Sequence, residues 1–179
     1  FSEPAWWDGL AKGNCFVTNG PLLRVRANGR LPGAIFAAEA GKPLGMKLDV
    51  QLTTLDHLTK LEVIQNGRVI QVITCTTDRD QSHAIDLKIN CSGWLMVRGI
   101  AENPETFRFA STAPFYVELG REKRRISKAS SRFFLDWVNE RIERVKANIT
   151  DKSQQAEVLR SHESARKFWQ KRVREANAD

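Results

Sequence analysis

Met46, Leu48, Val50 and Leu52 alternate with Lys47, Asp49, Gln51 and Thr53, the period-two pattern of a strand with one dry face and one wet face. The alternation returns at Ile85, Leu87 and Ile89, and shorter apolar or β-branched runs lie at 15–18, 22–27, 61–65, 68–74, 94–97, 107–110 and 115–119. Asn66-Gly67 separates two of these runs. Both central residues of a type I′ turn take positive φ, so this pair predicts a hairpin. The run Trp94 to Val97 is apolar throughout and predicts a central strand with Trp94 in the core. Asn19-Gly20-Pro21 predicts a sharp turn, because Gly reaches positive φ and Pro has a fixed one.

Helical signals flank the strands. Ser2 can cap a short helix, Pro4 suits a first turn, Trp6 and Leu10 share a face, and Gly13-Asn14 supplies a stop. That reading buries Trp6 and leaves Trp7 to solvent or another domain. From Ser127 the period becomes 3.6: Phe134, Val138, Ile142, Val145 and Ile149 form one stripe, with Phe133 and Trp137 beside it. Thr150 or Asp151 restarts a second helix, on which Val158, His162, Ala165, Trp169, Val173 and Ala176 share a face. About eight strands without crossover helices predict a mainly β fold, an immunoglobulin-like antiparallel β-sandwich. The expected organisation is a helix leading in over 1–14, the sandwich over 15–120 and a basic helical hairpin over 121–179.

Charge sharpens that division. Residues 1–120 carry 12 Lys and Arg against 12 Asp and Glu, and residues 121–179 carry 16 against 9, so the whole net charge of +7 sits in the tail. Its acids and bases are interspersed, as on solvated helix faces, and nucleic-acid binding is not expected. No apolar run is long enough to span a membrane. Phe1-Ser2-Glu3 lacks the character of a signal peptide, and the missing initiator Met predicts a fragment or a processed chain. An export signal upstream of Phe1 would place the protein in the periplasm or outside the cell; the residues themselves fix neither compartment nor oligomeric state.

Candidate chemistry is sparse. Cys15, Cys75 and Cys91 are too few and scattered for a disulfide scaffold or zinc ribbon and read as half-buried thiols, with Cys75–Cys91 the pair open to bridging in an oxidising compartment. Asp78, Asp80 and His83 carry donors for a divalent cation but sit in residues typical of an exposed loop, without the Gly and distal Glu of a calcium site. His162, on an apolar helix face, reads as an interfacial histidine, and His57 as a surface one. Nucleophile, zinc-protease and phosphate-loop motifs are absent. The Trp6-Trp7 doublet suits a sugar-stacking platform, an alternative to packing against a neighbouring domain.

Gly13-Asn14-Cys15-Phe16-Val17-Thr18-Asn19-Gly20-Pro21 resembles the G-x-x-x-V-T-N-G-P segment of CehA/McbA-type metallohydrolases, members of the polymerase-and-histidinol-phosphatase (PHP) superfamily. The likeness continues through Val25-Arg26-Ala27-Asn28-Gly29-Arg30-Leu31-Pro32-Gly33, Leu61-Glu62-Val63-Ile64-Gln65-Asn66-Gly67 and Ser111-Thr112-Ala113-Pro114-Phe115-Tyr116-Val117, in order, over most of residues 9–148. In that family the segment follows a catalytic barrel whose metals are held by an early His-x-His and a late Asp-x-His. Neither pair occurs here, and His57, His83 and His162 are isolated. The resemblance therefore implies a non-catalytic C-terminal accessory domain that packs on the barrel of the same polypeptide. It also implies that this chain holds no catalytic residue, metal ligand or cofactor, any divalent metal belonging to the barrel. The expected contact residues are Trp6, Trp7, Asn19, Gly20 and Pro21, with the Asn19-Gly20-Pro21 turn in a structural role. Two other functions stand beside this one, a carbohydrate-binding sandwich and a protein-interaction or dimerisation module built on the helical tail.

Overall fold

Residues 2–120 and 125–178 are described by the structure, a computed structural model. They fall into two units, the second beginning at Arg125. Phe1, Asp179 and residues 121–124, which the sequence reading assigns to the tail, lie outside the described residues.

The first helix, α1 (Glu3–Ala11), ends as its Gly13-Asn14 pair dictates. Gly13 takes φ +75°, its N–H donates to the Leu10 carbonyl at 3.0 Å, and the Asn14 N–H donates to the Gly9 carbonyl at 2.9 Å. These two bonds satisfy carbonyls that the helix end leaves unpaired. Ser2 occupies the cap position, but its side chain makes no capping bond.

Ten strands follow: β1 (Phe16–Thr18), β2 (Leu22–Ala27), β3 (Ile35–Ala38), β4 (Leu44–Thr53), β5 (Lys60–Gln65), β6 (Arg68–Thr74), β7 (Asp80–Ile89), β8 (Gly93–Ala101), β9 (Arg108–Thr112) and β10 (Phe115–Leu119). β2, β4 and β7 form a three-stranded antiparallel sheet. In the seven-stranded sheet β8 is central, with β5 and then β6 on one flank and both β9 and β10 on the other. β9 carries β1, and β10 carries β3. Across Ala113-Pro114 the register on β8 slips by one residue, from Ser111 opposite Arg98 to Phe115 opposite Leu95. One nearly continuous strand therefore serves two outer neighbours.

The sandwich is immunoglobulin-like as its alternation predicts, with two differences. β3 was not expected; Ile35-Phe36-Ala37-Ala38 has no polar alternation, and it pairs parallel to β10, which makes the larger sheet mixed rather than purely antiparallel. Trp94 does not enter the core. Along β8 the inward residues are Leu95, Val97 and Gly99, all buried, so Trp94 and Met96 face outward and Trp94 lies beside Tyr116. The core is built from the facing residues Leu23, Val25, Leu48, Val50 and Leu52 of one sheet and Leu61, Val63, Leu95, Val97 and Phe115 of the other. At Asn66-Gly67 both φ values are positive, +51° and +84°, as a type I′ hairpin requires.

In the second unit α2 (Lys128–Asn148) and α3 (Lys152–Glu175) pack antiparallel across a three-residue connection. Ser127 and Asp151 cap them, their side chains accepting the N–H groups of Ser130 (3.1 Å) and Gln154 (2.8 Å). Ile142 and Val145 are buried between the helices, and Phe134 stacks on Trp169 at 4.7 Å. The hairpin's open end is closed by backbone bonds from Asn177 to Ile126 and from Lys128 to Ala178.

Candidate contact surfaces

Trp6 and Trp7 lie on α1, which has no buried residue; they are 51% and 56% exposed, and Leu10 is 45% exposed. The sequence expectation that Trp6 is buried is therefore corrected. It rested on Trp6 and Leu10 sharing a face, and both remain about half exposed. The two indoles meet edge to face, 4.7 Å apart and 76° between planes, and Trp7 Nε1 donates to Glu3 Oε1 at 3.3 Å. Rings so inclined do not form one flat platform.

Asn19, Gly20 and Pro21 lie at one end of the sandwich, on the turn between β1 and β2, and no hydrogen bond or ring contact joins them to Trp6 or Trp7. Asn19 pins this turn to β9: its Nδ2 donates to the Phe107 carbonyl and its Oδ1 accepts the Phe109 N–H, both at 2.8 Å. The Thr18 hydroxyl accepts the Gly20 N–H and donates to the Pro21 carbonyl. A Cβ on Gly20 would sit 3.2 Å from the Arg108 side chain and 3.4 Å from Asp56 Oδ2. Asp56 ties the loops together, accepting from Asn103 at 3.0 Å and from Arg108 at 3.1 Å. The Asn103 bond, the largest influence, holds its carboxyl below the usual carboxylate range; burial opposes it, and the hydrogen bond and charge of Arg108 add to the lowering. All these polar groups are spent within the protein, leaving Leu55 (85% exposed) and Phe107 (63%) at the tip.

The other candidates disperse. Asp78 accepts from Thr76, Asp80 accepts from Thr53 at the start of β7, and His83 faces inward from β7 opposite Val50. His57 lies 3.7 Å from Glu102, and His162 Nδ1 lies 2.9 Å from the Val158 carbonyl one turn earlier on α3. Among the described residues no three His, Cys, Asp or Glu gather to hold a metal ion. Cys15, Cys75 and Cys91 are all free thiols; burial pushes Cys75 up, while Cys91 is exposed rather than half-buried. No described helix is long and apolar enough to cross a membrane.

Two surfaces, an apolar sheet face and a cleft, escaped the sequence, and a third, on the helical tail, was expected from it. The outer face of the seven-stranded sheet sets Ile35, Tyr116 and Trp94 in one row and Val69, Ile64 and Met96 in the next, with Val72 beside them. The outer face of the three-stranded sheet carries Arg24, Lys47, Asp49, Gln51, Ser82 and Asp86 instead. On the helical hairpin Phe133, Trp137 and Phe168 are about half exposed or more, and the Arg172 guanidinium lies over the Phe168 ring, 5.2 Å from its centroid. A cleft of about 370 Å³ opens between β2, the exit of α1 and the Leu31-Pro32 segment. In comparisons with known proteins, no family model and no curated protein matched the chain.

Proposed function

We propose that this chain is the non-catalytic C-terminal accessory region of a PHP-type metal-dependent hydrolase, and that its sandwich packs on the catalytic barrel and shapes access to it. The observation that carries this reading is the apolar outer face of the seven-stranded sheet. Ile35, Val69, Val72 and Tyr116 are 39–48% exposed there, while the opposite face of the sandwich is polar. A contiguous apolar face on one side of a domain marks a surface that another body covers. The ordered likeness of residues 9–148 to the C-terminal part of that family supplies the identity of the covering body.

The test begins with the intact mass of the protein as its own cell produces it. A mass two to three times the 20.3 kDa of this chain is expected. In that longer polypeptide Ile35→Lys should lower the melting temperature, whereas in the isolated chain the same exposed substitution should leave it unchanged. A native mass near 20.3 kDa, or equal effects in both contexts, would overturn the proposal.

Two other functions have observations of their own. A sugar-binding module is favoured by the exposure of Trp7, and glycan binding abolished by Trp7→Ala would establish it. A dimerisation module is favoured by Phe133, Trp137 and Phe168, and a dimer lost in Trp137→Ser would establish that one.

A further inference from the structure

Across the first unit, Asn19, Asn28, Gln65, Asn66, Gln81 and Asn103 all spend their amides on backbone or side-chain partners. Asn14 and Gln51 have no side-chain partner among the described residues, and neither has the Arg24 guanidinium. These three line the same cleft, that of about 370 Å³ beside β2. Its apolar wall is Phe16, Leu31 and Pro32.

From this juxtaposition we propose that the cleft binds a small organic acid, its carboxylate on Arg24 and Gln51 and its apolar body against Phe16 and Leu31. The volume lies in the range of small-molecule sites, which pair a mostly apolar lining with a few converging polar groups. The sign of the charge selects an anion. Arg24 and Arg26 both line the cleft, and the one lining carboxylate, Asp49, has Lys47 at 3.6 Å. Arg26 Nη1 already donates to the Gly29 carbonyl at 3.0 Å, which leaves Arg24 as the group with its whole fork to offer. The β2–β4 ladder fixes the second donor, because Arg24 and Gln51 are directly paired across it. The walls are built before any ligand arrives. Asn14 is held by the bonds that end α1, and Gly33, next to Pro32, accepts α1's last turn in van der Waals contact. The inference does not rest on the hydrolase reading; a free-standing sandwich would have the same cleft.

The test uses the full chain and two probes, 1-naphthoate and its neutral analogue 1-naphthamide, followed by the side-chain amide resonances of Asn14 and Gln51. Saturable shifts with naphthoate are expected. Affinity should fall roughly tenfold or more in Arg24→Gln, and by as much for naphthamide, the worth of one charge-assisted hydrogen bond. Arg24 is exposed, so Arg24→Gln should keep the wild-type melting temperature; if it does not, Gln51→Ala takes its place. No saturable shift at about 10 mM probe, a dissociation constant too weak to matter, would overturn the proposal. So would equal affinity for the two probes, an Arg24→Gln variant that binds as the wild type does, or shifts confined to the apolar face around Tyr116.

Discussion

Gly29 and Gly33 have similar positive φ values, +77° and +88°, in very different surroundings. A Cβ on Gly29 would meet nothing within 4 Å, whereas one on Gly33 would lie 1.8 Å from the Lys12 carbonyl oxygen and 3.2 Å from the Gly13 backbone. Gly29→Ala therefore carries only the conformational penalty of a left-handed residue, about 1–2 kcal/mol. Gly33→Ala carries that penalty plus a backbone overlap that only movement of the end of α1 can relieve. Overpacking of this kind costs about 1–3 kcal/mol more. Thermal unfolding followed by circular dichroism should show Gly33→Ala melting roughly 2–12 °C below Gly29→Ala, at about 2–4 °C per kcal/mol for a chain of this size. Hydrogen exchange should find the α1 amides deprotected in Gly33→Ala alone. Equal melting temperatures with α1 protected in both variants would refute the claim that α1 is seated through Gly33.

Phe115 is fully buried between the sheets, and Phe115→Ala should cost about 3–5 kcal/mol in urea unfolding. Asp56 is held below its ordinary range, so the unfolded chain takes up this proton first as pH falls. Its contribution is fully present above the unfolded value near pH 4 and is lost as pH drops through the lower folded one. Between about pH 5 and 3 the wild type should lose more melting temperature than Asp56→Asn, and parallel curves would count against the role given to Asp56. Asp151→Ala removes the cap of α3 and should cost about 1 kcal/mol, read as faster amide exchange at Lys152 to Gln155 with the sandwich transition unmoved.

What was legible in the sequence was whatever is decided within a few residues. The Asn66-Gly67 turn, the Gly13 stop and the alternation of β4 depend on local φ values or on a strand's own period, and all three stand as read. β3 was not legible because its four residues are held by a parallel partner far along the chain. Trp94 was misplaced because an unbroken apolar run hides which residues point inward; the neighbouring strands decide that. The cleft left no local signal either. Arg24 and Gln51 meet only through the β2–β4 ladder, and the value of Arg24 lies in lacking a partner, which no motif records. Asn19-Gly20-Pro21 was read as a sharp turn because Gly reaches positive φ, but Gly20 takes no positive φ, and the turn is held instead by the bonds from Asn19 to Phe107 and Phe109.

The slip at Ala113-Pro114 lets residues 108–119 serve both β1 and β3, and this sets an order of assembly during synthesis. The three-stranded sheet needs nothing beyond Ile89 and can pair as soon as that residue leaves the ribosome. Phe16–Thr18 must wait for Ala110–Thr112, and Ile35–Ala38 for Tyr116–Leu119. The first strand made is thus among the last to be placed. Such distant pairings fold slowly, and until they form the newborn chain holds β1 and β3 as open strands in need of protection.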